Sequence, residues 1–211
     1  FSRCLALSSL NTRMIISHQH KFIFIKTRKT AGSSIENFLY KKLGPDDICT
    51  GSPLDGTPRL NNPIEDGHVS AKWIKQHYPY EFKNYFTFAV ERNPWDKIVS
   101  FFYWYRNKKP GKTKNGFDEF VINNKKLENL NDWKMYTLNN KVVLDKILRY
   151  EDIHNEFKTI PVPYTDELLK TFIKTEYRAN RHYKQMYTKT STKNKVHRRF
   201  LNVIDEFTYS F

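Results

Sequence analysis

Acidic side chains are in short supply in this chain. Asp and Glu total 22 against 36 Lys and Arg, which leaves a formal net charge of +14 over 211 residues. A field of that sign attracts anions and raises the rate at which they meet the surface. It points to a nucleotide, an anionic polysaccharide, nucleic acid or a membrane surface as partner, with a plain solvated, Lys-rich surface as the simpler alternative. Cysteine is scarcer still. Cys4 and Cys49 are the two present, and no CxxC occurs. That excludes a disulfide framework, and free thiols are expected rather than a bridge. No run approaches the about 18 consecutive apolar residues of a membrane span. The segment from Cys4 to Leu10 is too short and too polar for a secretory signal. Internal repeats and low-complexity stretches are missing as well. The chain opens on Phe1 rather than Met, and Met14 directly precedes the first strand-like run. Residues 1–13 are therefore expected to be an extension outside the fold, and 14–211 a single domain.

What the chain does hold is apolar side chain. Hydrophobic residues make up 39% and aromatics 16%, enough to bury a core and to exclude disorder. The run Lys21–Lys26 reads as a buried strand, followed by a polar loop from Thr27 to Gly32 and a helix over Ser33–Leu43 with apolar positions at helical spacing. The stretch from Gly44 to Pro63 holds four prolines and three glycines and reads as a long loop. A short helix is predicted over Ser70–His77, capped by Ser70. Tyr85–Val90 is a second central strand, and Pro94 opens a helix at a position whose N–H needs no partner. A basic turn covers Lys108–Gly116, and a further helix covers Phe117–Asn124. Val142–Tyr150 reads as a third strand, and Asp166–Phe211 as mostly helical. Strands alternating with helices predict an α/β fold with a central, mostly parallel sheet flanked by helices.

Two stretches carry chemistry. The first is Lys29-Thr30-Ala31-Gly32-Ser33-Ser34, between a strand and a helix. N–H groups at a helix start point at an anion, and the helix dipole favours negative charge there. Ala31 and Gly32 let a phosphate approach the backbone, Thr30, Ser33 and Ser34 add hydroxyls, and Lys29 adds a full charge. The triphosphate loop G-x-x-x-x-G-K-[ST] is missing, because Lys29 precedes the glycine and the loop has a single one. Nor does a strand end in an Asp suited to Mg²⁺. The second strand runs instead into Glu91-Arg92, with a cation where a metal-binding carboxylate would stand. A metal-independent nucleotide donor is favoured over Mg-ATP. The pair His18 and His20 has no third ligand in register, so no metal site is expected.

The second stretch is Arg92-Asn93-Pro94-Trp95-Asp96-Lys97-Ile98-Val99-Ser100. Arg92 ends a strand, and Ser100 lies about two helical turns further on, able to converge on one anion. A guanidinium fork suits a phosphate. The plain alternative is an ion pair of Arg92 with Glu91 or Asp96. Two phosphate-type elements following two strands, roughly 60 residues apart, suit a nucleotide with separated 5′ and 3′ phosphates.

At these residues the chain resembles the sulfotransferases that use 3′-phosphoadenosine-5′-phosphosulfate (PAPS). The run Phe22–Glu36, with its K-T-A-G-S-S, resembles their 5′-phosphosulfate loop in the carbohydrate and Golgi-type branch, that of heparan sulfate 2-O-sulfotransferase. Arg28 departs from it, standing where many relatives have proline. The segment Arg92–Ser100 resembles their 3′-phosphate element. Ile147–Ile153 is similar to their L-R-Y-E-D-L junction, and Phe200–Phe211 to their closing D-x-x-x-F-x-Y-x-F.

The resemblance implies a P-loop-like three-layer sandwich. It also implies PAPS as donor, with 3′,5′-adenosine bisphosphate as product, and a hydroxyl-bearing acceptor, a glycan by preference. Lys29, Thr30, Ala31, Gly32, Ser33, Ser34, Arg92 and Ser100 would bind the donor, and Lys29 would assist the leaving oxygen. A general base is still needed. His68 is the candidate, since Gly67-His68-Val69 resembles the family's histidine element, and Glu36 is the runner-up. The competing readings are a P-loop kinase and a basic nucleic-acid-binding protein. A cytoplasmic site is favoured, with the Golgi lumen as the alternative if an anchor has been removed.

Overall fold

The computed structural model describes residues 13–51, 59–63, 69–163, 168 and 182–211. His68, the candidate base, lies outside the described residues, as do Cys4 and most of 164–181. The strands are β1 (Arg13–Ser17), β2 (Phe22–Lys26), β3 (Ile48–Cys49), β4 (Phe86–Glu91), β5 (Thr137–Leu138), β6 (Lys141–Val142) and β7 (Lys146–Arg149). Five of them form one sheet in the order β3-β1-β2-β4-β7. β2, β4 and β7 run parallel to one another, whereas β1 is antiparallel to both β2 and β3. The sheet is therefore mixed, with a parallel core of three strands. The reason is connection length. Residues 18–21 join β1 to β2, too few for the crossover a parallel pair requires.

The helices are α1 (Gly32–Tyr40), α2 (Ala71–His77), α3 (Pro79–Asn84), α4 (Pro94–Lys108), α5 (Gly116–Asn123), α6 (Trp133–Tyr136), α7 (Ile153–Lys158), α8 (Thr190–Arg199) and α9 (Leu201–Phe207). Successive strand residues point to opposite faces, and two cores follow. Ile15, Phe22, Phe24, Phe88 and Val90 pack with Ile35 and Phe38 of α1 and Phe157 of α7. Met14, Ile16, Ile23, Ile25 and Ala89 pack on the other face, with α2, α4, α5 and the C-terminal helices.

Local signals fix the element ends. Ser70 caps α2, its Oγ accepting from the Trp73 N–H at 3.3 Å. Pro94 takes the first position of α4, and Asn93 Oδ1 accepts from the Trp95 N–H at 3.1 Å. The predicted strand over Val142–Tyr150 is broken. Its start pairs back in a β5–β6 hairpin whose turn residues Asn139 and Asn140 have φ of 49° and 60°, as a two-residue hairpin turn requires. Of the predicted long loop, Ile48–Cys49 forms an edge strand, and Cys49 bridges to Leu60. Cys49 is a free thiol, and burial beside Glu36 pushes it up to about 11.

Asp47 closes the β1–β2 turn. Its carboxylate accepts from Ser17 Oγ at 2.8 Å and from the N–H groups of His18 at 2.6 Å, Gln19 at 3.1 Å and Gly44 at 2.9 Å. The His18–His20 pair serves the same turn. His18 Nδ1 meets Tyr85 Oη at 3.0 Å, and His20 Nε2 meets the Lys42 carbonyl at 3.0 Å.

Candidate active site

The loop between β2 and α1 is held in an unusual backbone. Lys29 and Ala31 both have positive φ, 61° and 60°. Neither is glycine, so each conformation costs on the order of 1–2 kcal/mol and persists only because the surroundings hold it. Left-handed residues on either side of Thr30 make a tight turn, the kind of backbone in which successive N–H groups can form a concavity that suits an anion. Gly32, the first residue of α1, completes it. A Cβ there would stand 2.7 Å from Lys26 Cγ and 3.2 Å from the Thr27 carbonyl oxygen.

The supports of this loop are specific. The Thr27 and Thr30 hydroxyls bond each other at 2.9 Å, and Thr27 Oγ1 also donates to the Val90 carbonyl at the end of β4. Thr30 and Ser34 are fully buried, so Thr30 contributes its hydroxyl to the loop's own structure. Lys29 and Ser33 are half-buried. Lys29 Nζ lies 5.4 Å from the ring centroid of Trp104, a half-buried residue of α4. Arg28 is anchored rather than displayed. Its N–H and Nη1 donate to Asp132 at 2.8 and 2.6 Å.

Glu36 is buried within α1. Lys26 Nζ donates to it at 2.6 Å and Arg13 Nη1 at 3.4 Å. The backbone of Gly51 lies against it, and a Cβ at that glycine would fall 1.8 Å from Glu36 Oε1.

Arg92 stands beside the loop. Its Nη1 donates to the Lys29 carbonyl at 3.1 Å, while Nε and Nη2 grip Asp96 at 2.7 and 2.6 Å. The guanidinium also lies 3.9 Å above the Tyr150 ring. The three bonds use three of its five N–H donors and fix its plane. Its partnership with Glu91 is through the backbone, the Arg92 N–H donating to Glu91 Oε1 at 2.9 Å. Ser100 follows two turns along α4 and is half-buried.

The flanking motifs converge on the same place. Glu151 accepts from the Asn93 N–H at 2.7 Å and from Tyr209 Oη at 3.2 Å. Asn93 Nδ2 donates to the Ser210 carbonyl at 2.9 Å. Burial and the Glu151 charge push the Tyr209 phenol far up, so it stays a donor. The ring of Phe211 packs edge-on against Trp95 and Tyr187. The segment predicted as a late helix is at this point a 3₁₀ turn, Tyr183–Met186.

Sequence reasoning missed a buried ionic cluster beneath both elements. Lys97 is wholly buried and donates to Glu91 at 2.7 Å and to Asp132 at 2.8 Å. Tyr136 Oη donates to Glu91 Oε2 at 2.9 Å. Burial and Asp132 push the Glu91 carboxyl up against the pull of Lys97. Burial alone would push the Lys97 ammonium down, but the two carboxylates outweigh it and hold it up.

The adjacency has a topological cause. β2 and β4 are neighbouring parallel strands, yet α1 leaves β2 toward one face and α4 leaves β4 toward the other. Adjacent strands whose connections diverge open a crevice at their carboxyl ends, where α/β sheets bind ligands. Lys29 and Arg92 flank that crevice. Among the described residues, no group of three or more His, Cys, Asp or Glu side chains could hold a metal ion, and no helix is long and apolar enough to cross a membrane.

One family model, described as the sulfotransferase family, matches residues 12–210. No curated protein and no solved structure matches the chain.

Proposed function

The chain belongs to the sulfotransferase family, and from that premise we propose that it moves a sulfuryl group from PAPS to a carbohydrate hydroxyl. The supporting observation is the contact between the two anion-type elements, Arg92 Nη1 to the Lys29 carbonyl at 3.1 Å, across a crevice opened by diverging helices. A donor with phosphates at both ends of its ribose suits that pairing. The residues fit such a ligand: a concave backbone at Lys29–Gly32, a Gly32 that admits no Cβ, and an oriented guanidinium with donors to spare. The fold is read as a P-loop-like three-layer sandwich, with 14–211 as one domain to which Arg13 of β1 also belongs.

In this reading the N–H groups at the start of α1, with Ser33 and Ser34, hold the 5′-phosphate, and Arg92 and Ser100 hold the 3′-phosphate. Lys29 offers its ammonium to the oxygen that accumulates charge as sulfuryl leaves, the form of stabilisation that gains most in a dry site. The acceptor oxygen attacks in line, and His68 takes its proton. Glu36 is the alternative base, although its ion pairs with Lys26 and Arg13 tie up the carboxylate. An anionic glycan suits the exposed Lys108, Lys109, Lys112 and Lys114, which follow Trp104 and the Lys29 corner.

Transfer of labelled sulfate from PAPS to a panel of oligosaccharides tests this. His68→Ala is expected to bind 3′,5′-adenosine bisphosphate normally and to lose turnover by roughly 10²–10⁴-fold. Arg92→Ala is expected to lose nucleotide binding itself. Full turnover in His68→Ala, with loss in Glu36→Gln, would move the base to Glu36.

A further inference from the structure

Lys97 has no part in the mechanism above, yet it is fully buried. A lysine is almost never found so unless paired, because desolvating its charge costs several kcal/mol. Here the pairing forms a bridge. Asp132 Oδ2 accepts both Lys97 Nζ, at 2.8 Å, and the backbone N–H of Arg28, at 2.8 Å. Glu91 Oε1 accepts both Lys97 Nζ, at 2.7 Å, and the backbone N–H of Arg92, at 2.9 Å. One ammonium thus stands between two carboxylates. Each carboxylate holds the main chain of one anion-binding element, at the residue just before Lys29 and at Arg92 itself.

The cluster closes in charge, and each of its four carboxylate oxygens accepts a hydrogen bond. Lys97 and Arg28 balance Glu91 and Asp132. The second oxygen of Asp132 takes Arg28 Nη1 at 2.6 Å, and that of Glu91 takes Tyr136 Oη at 2.9 Å. A buried ion pair is no strong source of stability, since apolar residues of the same volume often do as well. What such a bridge supplies is geometry. Lys97 is also three residues before Ser100 on α4, so its anchoring fixes the rotation of the helix that carries that serine.

We propose that Lys97 is a positioning residue, a strut that sets the spacing of the two phosphate-binding elements and thereby selects a nucleoside phosphorylated at both 5′ and 3′ positions. This rests on the donor reading above. Each element alone can hold one phosphate. Only their fixed separation lets both be held at once, and the advantage of linked contacts disappears when the geometry no longer matches the span.

The test is calorimetric titration of the full chain with 3′,5′-adenosine bisphosphate, adenosine 5′-monophosphate and adenosine 3′-monophosphate. Wild type is compared with Lys97→Met and Lys97→Arg, and a melting curve checks that each is folded. The expected result is a preference of wild type for the bisphosphate that Lys97→Met loses by about tenfold or more, with each monophosphate within about twofold of wild type. Lys97→Arg, which keeps the charge and both carboxylate partners, should recover part of the preference. If Lys97→Met alone does not fold, Lys97→Met with Glu91→Gln removes one charge of each sign and is read in the same way. A parallel loss for all three ligands, or an unchanged bisphosphate preference, would overturn the strut. Wild type with no preference for the bisphosphate would overturn the donor reading and the strut with it, a result visible before any substitution is made.

Discussion

Asp47 is buried at the turn between β1 and β2, and four hydrogen bonds converge on its two oxygens. Burial pushes its carboxyl up, but the bonds from Gly44, Ser17, Gln19 and His18 outweigh it and hold the value below the usual 3.8. A carboxyl lowered on folding adds stability that is complete above its unfolded value and fades as pH falls through the folded one. Urea unfolding should therefore show wild type losing stability below about pH 3.8, with a shallower acid limb in Asp47→Asn. Equal acid limbs would contradict this. No motif announces Asp47, because the groups it serves are scattered over Ser17, His18, Gln19 and Gly44. Lys97 stands inside the Arg92–Ser100 stretch, but its partners are not announced. Its partner Asp132 also anchors Arg28, 104 residues away, so pairings of this kind are set by the fold rather than by spacing. By contrast Lys29–Ser34 and Arg92–Ser100 are contiguous. Their placement, one following β2 and one following β4, could be read directly.

Among the elements, the loop between β2 and α1 makes the sharpest demand on sequence. Gly32→Ala would set a methyl against the Thr27 carbonyl and the Lys26 stem, and that stem is held by its bond to Glu36. Relief requires the loop to shift, at a cost of about 1–3 kcal/mol. Urea unfolding should report that loss, and calorimetry a weaker affinity for 3′,5′-adenosine bisphosphate. An alanine variant of wild-type stability and affinity would show the loop to be slack. The sequence announced β2, β4, α2, α4 and α5 to within a residue or two, through apolar runs, Ser70 and Pro94. β1 and β3 were not read. β1 holds a run of only three apolar residues, Met14-Ile15-Ile16, and β3 is a two-residue edge strand inside a Pro- and Gly-rich stretch. The β5–β6 hairpin was absorbed into a longer strand because Asn139-Asn140, its turn, lies just ahead of that apolar run.

At the scale of the molecule, two helices diverging from adjacent parallel strands make the crevice, and the end of the chain returns to brace it. Tyr209 and Ser210 hold Glu151 and Asn93 next to Arg92. The alternation of strands and helices carried the α/β class, but the antiparallel side of the sheet depended on a turn that no periodicity reveals. The excess of positive charge and its concentration in the Lys108–Gly116 turn could be read from the sequence, whereas the exposure of those lysines at the end of α4 needed the fold. The crevice is expected to take an adenosine with separated phosphates and to need no metal. Calorimetric titration of wild type with 3′,5′-adenosine bisphosphate, set against ATP with Mg²⁺, tests it most directly. Clear binding of the bisphosphate and little of Mg-ATP is expected, whereas preference for Mg-ATP, or binding of neither, would overturn the assignment of the crevice.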